Sequence, residues 1–278
     1  KNLNNSYLVI QGPPGTGKTY TTSRIIVDLI KNQFRVAIVC HSHKAILNLV
    51  EAIDEYSISI GFKFNGVYNS GSRKLENNFT NIEIINTSKI DVKNYDLVAG
   101  TAWALSNSKH REDSEKIKNF DYIFFDEAGQ ISISKLIASS MSSKNIIMIG
   151  DHMQLPQPST GNTEGESSLS PIEYLLKDQN TISDDKGIFL SNTYRMHKNI
   201  CDFISESFYE NRLMSDKSTK NQNIINENNK DILNGIYLID PKHSGFSVQN
   251  EIEAKEIKKI YEKLINKNWK DRDNKIQK

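Results

Sequence analysis

Two cysteines, Cys40 and Cys201, are all that the 278 residues contain. They stand far apart behind a start with no secretory character, which argues against a disulfide-stapled scaffold and suits a reducing compartment. Charge of one sign is missing too. Lys and Arg number 35 against 34 Asp and Glu, a net charge of +1, so no global basic field advertises a nucleic-acid partner and any such partner has to be argued from local sites. No apolar run approaches the ~20 residues that a bilayer-crossing helix needs. The expectation is therefore a soluble, cytoplasmic protein without a membrane partner. The sequence also lacks an initiating Met, and an apolar run is under way by Tyr7, so the chain is expected to be a piece of a longer one.

What the sequence does contain is a series of short, continuous apolar runs: YLVI (7–10), RVAIVC (35–40), YDLVAG (95–100), YIFFDEA (122–128) and NIIMIGD (145–151). Continuous rather than alternating runs predict strands covered on both faces, as in a parallel sheet. Helical spacing lies between them, at Ile25, Ile26, Leu29 and Ile30, and at Leu47, Leu49, Val50 and Ile53. Strand and helix alternate, so the class is α/β. The Pro-, Ser- and Gly-rich passage from Gln154 to Pro171 reads as loop. A new strand is expected at Ile188, which places a domain boundary near Asp185: a first domain over 1–185 and a second over 186–278. In the second, a helix is expected near Ile200–Tyr209, a mobile polar loop over Ser215–Lys230, a strand at GIYLID (235–240) and a helix at EIEAKEIKKIYEKLI (251–265). These few elements, where an α/β domain needs several strands and helices, leave that domain partial.

Gly12–Thr19 reads GPPGTGKT, the pattern G-x-x-x-x-G-K-[ST], with an apolar run before it and helical spacing after it. Glycines let the backbone of Gly12, Pro13, Pro14, Gly15, Thr16 and Gly17 wrap closely around phosphate oxygens, and the following helix adds its dipole. Lys18 is suited to the β- and γ-phosphates of ATP, and the Thr19 hydroxyl to Mg²⁺.

Asp126 and Glu127 end the run YIFF, at the carboxyl end of a buried strand, where ligands of open α/β sheets sit. Asp126 is suited to hold Mg²⁺ through water, and Glu127 to orient and deprotonate an attacking water. In GDHMQLPQ (150–157), Gln154 offers an amide to the γ-phosphate or the attacking water; a polar loop exit before Pro156 is the plainer alternative. In SNTYRMH (191–197), Arg195 offers a planar fork to γ-phosphate charge as an arginine finger, and Tyr194 a ring for the adenine.

GPPGTGKT, DEAGQ, GDHMQLPQ and TYRMH, in this order, resemble motifs I, II, III and IV of superfamily 1 helicases. The nearest branch is the Upf-like one, which holds the RNA helicase of nonsense-mediated decay and the DNA-replication nuclease-helicases. SVQNEIEA (247–254) resembles that branch's S-x-x-N-x-x-E-A segment. The resemblance runs from about Tyr7 to Ala254. It implies two RecA-like domains with ATP hydrolysed in the cleft between them, the second domain partial here, and a motor on single-stranded DNA or RNA that moves 5′ to 3′. No segment resembles motifs V and VI, the upstream glutamine motif or the N-terminal β-barrel, and 51–93 is short for the accessory insertion of some relatives. The rest of the second domain is thus an expected partner, and this stretch by itself is expected to hydrolyse ATP poorly.

HSHKAILNLV, from His41, resembles motif Ia of the family and puts Ser42, His43 and Lys44 forward as phosphate ligands. AGTAWALS resembles the next nucleic-acid contact, with Thr101 as a ligand and Trp103 as either a stacking ring or a core residue. A zinc site at Cys40, His41 and His43 lacks a second Cys/His pair at ligand spacing. Two other functions fit the phosphate loop: an ATP-binding switch or scaffold, which has no need of Glu127, and a kinase, which has none for YRMH.

Overall fold

A computed structural model describes residues 3–71, 78–86, 91–106, 119–155, 165–225, 235–242, 244 and 249–277. The chain divides into two compact units, Lys1–Ser191 and Asn192–Lys278. The first alternates strands and helices: β1 (Tyr7–Gln11), α1 (Lys18–Lys31), β2 (Val36–Cys40), α2 (His43–Ser59), β3 (Gly66–Asn69), β4 (Ile82–Ile85), β5 (Leu97–Thr101), α3 (Ala102–Ser106), β6 (Phe120–Asp126), α4 (Ile133–Ser140), β7 (Ser143–Gly150), α5 (Pro171–Leu176) and β8 (Gly187–Phe189). The eight strands form one sheet in the order β4-β3-β5-β2-β6-β7-β1-β8, and every pairing in it is parallel.

The continuous apolar runs have a simple cause. Along β2, Val36, Ile38 and Cys40 join one core layer while Ala37 and Val39 join the other; along β6, Tyr122 and Phe124 alternate with Ile123 and Phe125 in the same way. Side chains on a strand alternate faces, and both faces here are covered, so neither can be polar. Ile26, Val27 and Ile30 of α1 and Ile46, Leu49, Val50 and Ile53 of α2 pack in the first layer, and Ile172 and Leu176 of α5 in the second. The parallel arrangement brings the carboxyl ends of β1, β2, β5, β6 and β7 to one edge, with Cys40 in register with both Thr101 and Asp126, and Gln11 with Gly150.

The first unit departs from the sequence expectation in two places. Strands β3 and β4 were not foreseen: GVYN and IEII are four residues each, and β3 contains Gly66 and Asn69, residues that disfavour strands in isolation. The strand expected to open the second domain is β8, and it pairs with β1, Val9 opposite Gly187 and Gln11 opposite Phe189. Close approach is what permits this. A Cβ on residue 187 would stand 2.5 Å from the Val9 carbonyl oxygen and 2.4 Å from Ile182 Cδ1, so the residue there is Gly187.

The second unit contains β9 (Asn192–Thr193), α6 (Lys198–Phe208), β10 (Met214–Ser215), β11 (Asn223–Ile224), α7 (Glu251–Leu264), β12 (Trp269–Lys270) and β13 (Ile276–Gln277). β9 and β10 pair in parallel, and β11, β12 and β13 form an antiparallel sheet. Of the expected loop over 215–230, residues 226–230 lie outside the described residues, and the rest contains regular structure. Asp216 Oδ1 accepts from the Ser218 N–H at 2.9 Å and caps a 3₁₀ turn over Lys217–Asn221, and Asn223–Ile224 is a strand. Conversely, GIYLID forms no strand: its described residues have no ladder partner, and Ile236, Tyr237, Leu238 and Ile239 are exposed. Helix α7 matches expectation, capped by Asn250 Oδ1 through the N–H groups of Ile252 and Glu253. Ser247, at the start of the S-x-x-N-x-x-E-A segment, and half of the Pro-, Ser- and Gly-rich passage (156–164) lie outside the described residues. Among the described residues, no helix is long and apolar enough to cross a membrane.

Candidate nucleotide site

The turn between β1 and α1 is shaped by its own small residues. Gly15 and Gly17 have φ of 77° and 79°, the left-handed region that glycine enters without strain. A Cβ at Gly12 would lie 2.5 Å from Lys18 Cγ, so the lysine folds back over the loop only because residue 12 has no side chain. Lys18 Nζ donates to the Gly12 carbonyl at 2.7 Å, the Gly12 N–H donates to the Gly150 carbonyl at 2.9 Å, and the Thr16 hydroxyl donates to the Pro13 carbonyl at 2.8 Å. Helix α1 starts at Lys18 with Gly17 as its cap, no side-chain cap and no acid in its first turn. Its leading N–H groups and positive dipole end are thus presented to the loop, an arrangement suited to anions.

Asp126 ends β6 and is 6% exposed. Burial, and then the charge of Glu127, push its carboxyl up to about 6; the Glu127 N–H at 3.0 Å and the Lys18 charge pull the other way. A buried carboxylate so poorly compensated is one that a cation would stabilise. Glu127 takes φ 54° and ψ 42°. That left-handed conformation, costly for a non-glycine residue, turns the chain from β6 into a 3₁₀ turn at Ala128–Gln130. The turn packs tightly on the end of β7. A Cβ at Gly129 would meet the Asp151 carbonyl oxygen at 2.5 Å, and one at Gly150 the Ala128 nitrogen at 2.7 Å, so neither DEAGQ nor GDHMQ accommodates a side chain there.

Gln154 does not extend into the open. Its Nε2 donates to Asp151 Oδ2 at 3.3 Å, and Asp151, 3% exposed, also accepts from the Met153 N–H. Tyr194 and Arg195 belong to the second unit, just after β9. Tyr194 is exposed, and the Arg195 N–H donates to Thr193 Oγ1 at 3.3 Å. The structure therefore brings Lys18, Asp126, Glu127, Asp151 and Gln154 to one edge of the first sheet and describes Tyr194 and Arg195 within their own unit.

The residues expected to touch nucleic acid sit on the same sheet edge. Ser42 caps α2, its Oγ accepting from the Ala45 N–H at 3.2 Å, and Thr101 Oγ1 accepts from the Ala104 N–H at 3.4 Å. Both hydroxyl oxygens thus act as caps while keeping an O–H to donate. His43 Nδ1 lies 2.6 Å from the hydroxyl of the fully buried Tyr68, and Lys44 is exposed. Trp103 falls in α3, its side chain outside the described residues. Cys40 is buried at the end of β2, and burial pushes its thiol well up.

Sequence reasoning missed Gln11. It ends β1 with no exposed surface; its Oε1 accepts from the Ile182 N–H at 2.7 Å and its Nε2 donates to the Asn180 carbonyl at 3.0 Å. The one available signal was a long polar residue ending a strand otherwise buried.

The family described as AAA domain matches residues 1–160, and a second match of the same description covers residues 168–277. Among curated proteins, the chain is 30% identical over 153 residues to the DNA replication ATP-dependent helicase/nuclease DNA2 of Saccharomyces cerevisiae, covering 54% of this chain and 10% of that protein. It is 30% identical over 220 residues to the human DNA2, covering 76% and 20%. It is 24% identical over 360 residues to an uncharacterized ATP-dependent helicase of Methanocaldococcus jannaschii, covering 95% and 53%. The chain spans between a tenth and about half of the length of these relatives. Phosphate loop, acid pair and parallel sheet agree with these matches: the chain belongs to the AAA domain family and has a P-loop core of the superfamily 1 helicase type.

Proposed function

We propose that this chain binds and hydrolyses ATP as the motor core of a helicase or translocase acting on single-stranded nucleic acid. The observation that carries the reading is the placement of an uncapped helix start, Lys18 and the Asp126–Glu127 pair on one edge of the sheet, with the Lys18 charge acting on the Asp126 carboxyl. The backbone of Gly12–Gly17 and the ammonium of Lys18 would hold the β- and γ-phosphates. Thr19 and Asp126 would hold Mg²⁺, which neutralises phosphate charge when bound and commonly takes only one or two protein ligands. Glu127 would accept the proton of a water whose oxygen attacks the γ-phosphorus as the bond to the β-bridging oxygen breaks, releasing ADP and phosphate. Gln154, steadied by Asp151, would orient that water. Tyr194 would stack on adenine, and Arg195 would meet charge at the γ-phosphate. Both belong to the second unit, within the span 186–278 that we assign to a second RecA-like domain. The two unpaired, buried thiols fit a reducing cytosol.

Single-stranded DNA or RNA would run past Ser42, His43, Lys44 and Thr101. Lys44 is exposed at the start of α2, where its charge faces solvent. Replacing it with alanine is expected to weaken binding of labelled single strands uniformly across sequences and to flatten the log–log salt dependence by about 0.7. Fluorescence anisotropy over a salt series measures both, and an unchanged slope removes Lys44 from the track.

A further inference from the structure

Gln11 has more hydrogen-bonding work than a strand end requires. Besides the bonds to Ile182 and Asn180, its Nε2 lies 3.5 Å from both Asp151 Oδ1 and His152 Nδ1, and its backbone carbonyl accepts from the Leu190 N–H at 2.9 Å. One fully buried side chain thus joins the strand before the phosphate loop to the end of β7 and to the segment that leads through β8. Asp151 passes the linkage on to Gln154. Each polar atom of the amide has a partner, so the side chain cannot swing away without leaving buried groups unpaired. The next residue, Gly12, is where the Lys18 ammonium rests, and a phosphate in the loop would draw that ammonium from the Gly12 carbonyl.

We propose that Gln11 is a positioning residue that transmits occupancy of the phosphate loop to residues 180–190, the segment preceding the second unit. The proposal rests on the reading of Gly12–Thr19 as a nucleotide site. A merely structural clamp would hold residues 180–190 equally with or without nucleotide; a transmitting residue makes their protection depend on it.

Amide hydrogen exchange, read residue by residue by NMR on the whole chain with and without Mg²⁺ and adenylyl imidodiphosphate, separates the two. In the wild type, exchange at Ile182 and Leu190 is expected to slow by about tenfold on nucleotide binding, the scale of one hydrogen bond. Gln11→Met keeps the length and loses the amide. It is expected to bind the nucleotide and protect Gly15–Lys18 as the wild type does, with no response at Ile182 or Leu190. If that variant does not fold, Gln11→Glu, which keeps the acceptor for Ile182 and loses the donor to Asn180, serves in its place with the same expectation. Nucleotide binding that leaves residues 180–190 of the wild type unchanged, or a variant that keeps the full response, overturns the proposal. Failure of the wild type to bind nucleotide at all overturns the nucleotide-site reading and this proposal with it, and is seen directly as unchanged exchange at Gly15–Lys18.

Discussion

Lys18→Ala is expected to weaken Mg²⁺–ATP binding by about 10²-fold or more, since hydrogen bonds to charged groups are each worth roughly 1.5–3 kcal/mol and the ammonium serves two phosphates. The fold should survive. Lys18 Nζ contacts the loop's own Gly12 carbonyl rather than a core group, and alanine is the best helix former at the start of α1. The substitution also removes the positive charge that holds the Asp126 carboxyl down, so that carboxyl should move further up in the free protein. Titration calorimetry with Mg²⁺–ATP checks the affinity. Equal affinity in variant and wild type would remove the turn from the nucleotide site, whatever its sequence pattern.

Glu127→Gln separates binding from chemistry. The amide has the shape of the carboxyl and tolerates the same left-handed backbone, but it cannot take a proton, so turnover of the intact enzyme is expected to fall by about 10²-fold or more while ATP affinity holds. A second consequence follows from charge. Glu127 is, after burial, the main influence raising Asp126, so in the variant the Asp126 carboxyl should drop back toward the ordinary range. Single-turnover hydrolysis and a pH titration of Asp126 read the two effects separately. Full turnover in the variant would assign the base to another group.

What was legible in the sequence follows physical range. The phosphate loop and the acid pair are local chemistry: eight consecutive residues in one case and two adjacent ones at a strand end in the other. Strands β1, β2, β5, β6 and β7 announced themselves because burial on both faces leaves no room for polar alternation. Strands β3 and β4 did not, being too short for a pattern and held by pairing to β5 and to each other. The apolar run of β8 read as the start of a second sheet because its true partner, β1, lies at the other end of the first unit's sequence. GIYLID shows the converse, an apolar run with no strand to pair with among the described residues. Gln11 was invisible for the strongest reason: its side-chain partners lie 140 to 171 residues away, and only the fold brings them together. The capping duties of Ser42 and Thr101 were likewise not separable from a nucleic-acid role by residue type alone.

Steady-state ATP hydrolysis by the full-length parent protein, measured with no nucleic acid, with single-stranded DNA and with single-stranded RNA, is the most direct test of a motor built on this site. Turnover is predicted to rise by about tenfold or more with at least one of the two strands, as expected where binding of one ligand is coupled to the chemistry of another by about 1.4 kcal/mol or more, and the strand that stimulates names the track. The same slow turnover in all three conditions would contradict the motor reading and leave an ATP-binding switch in its place.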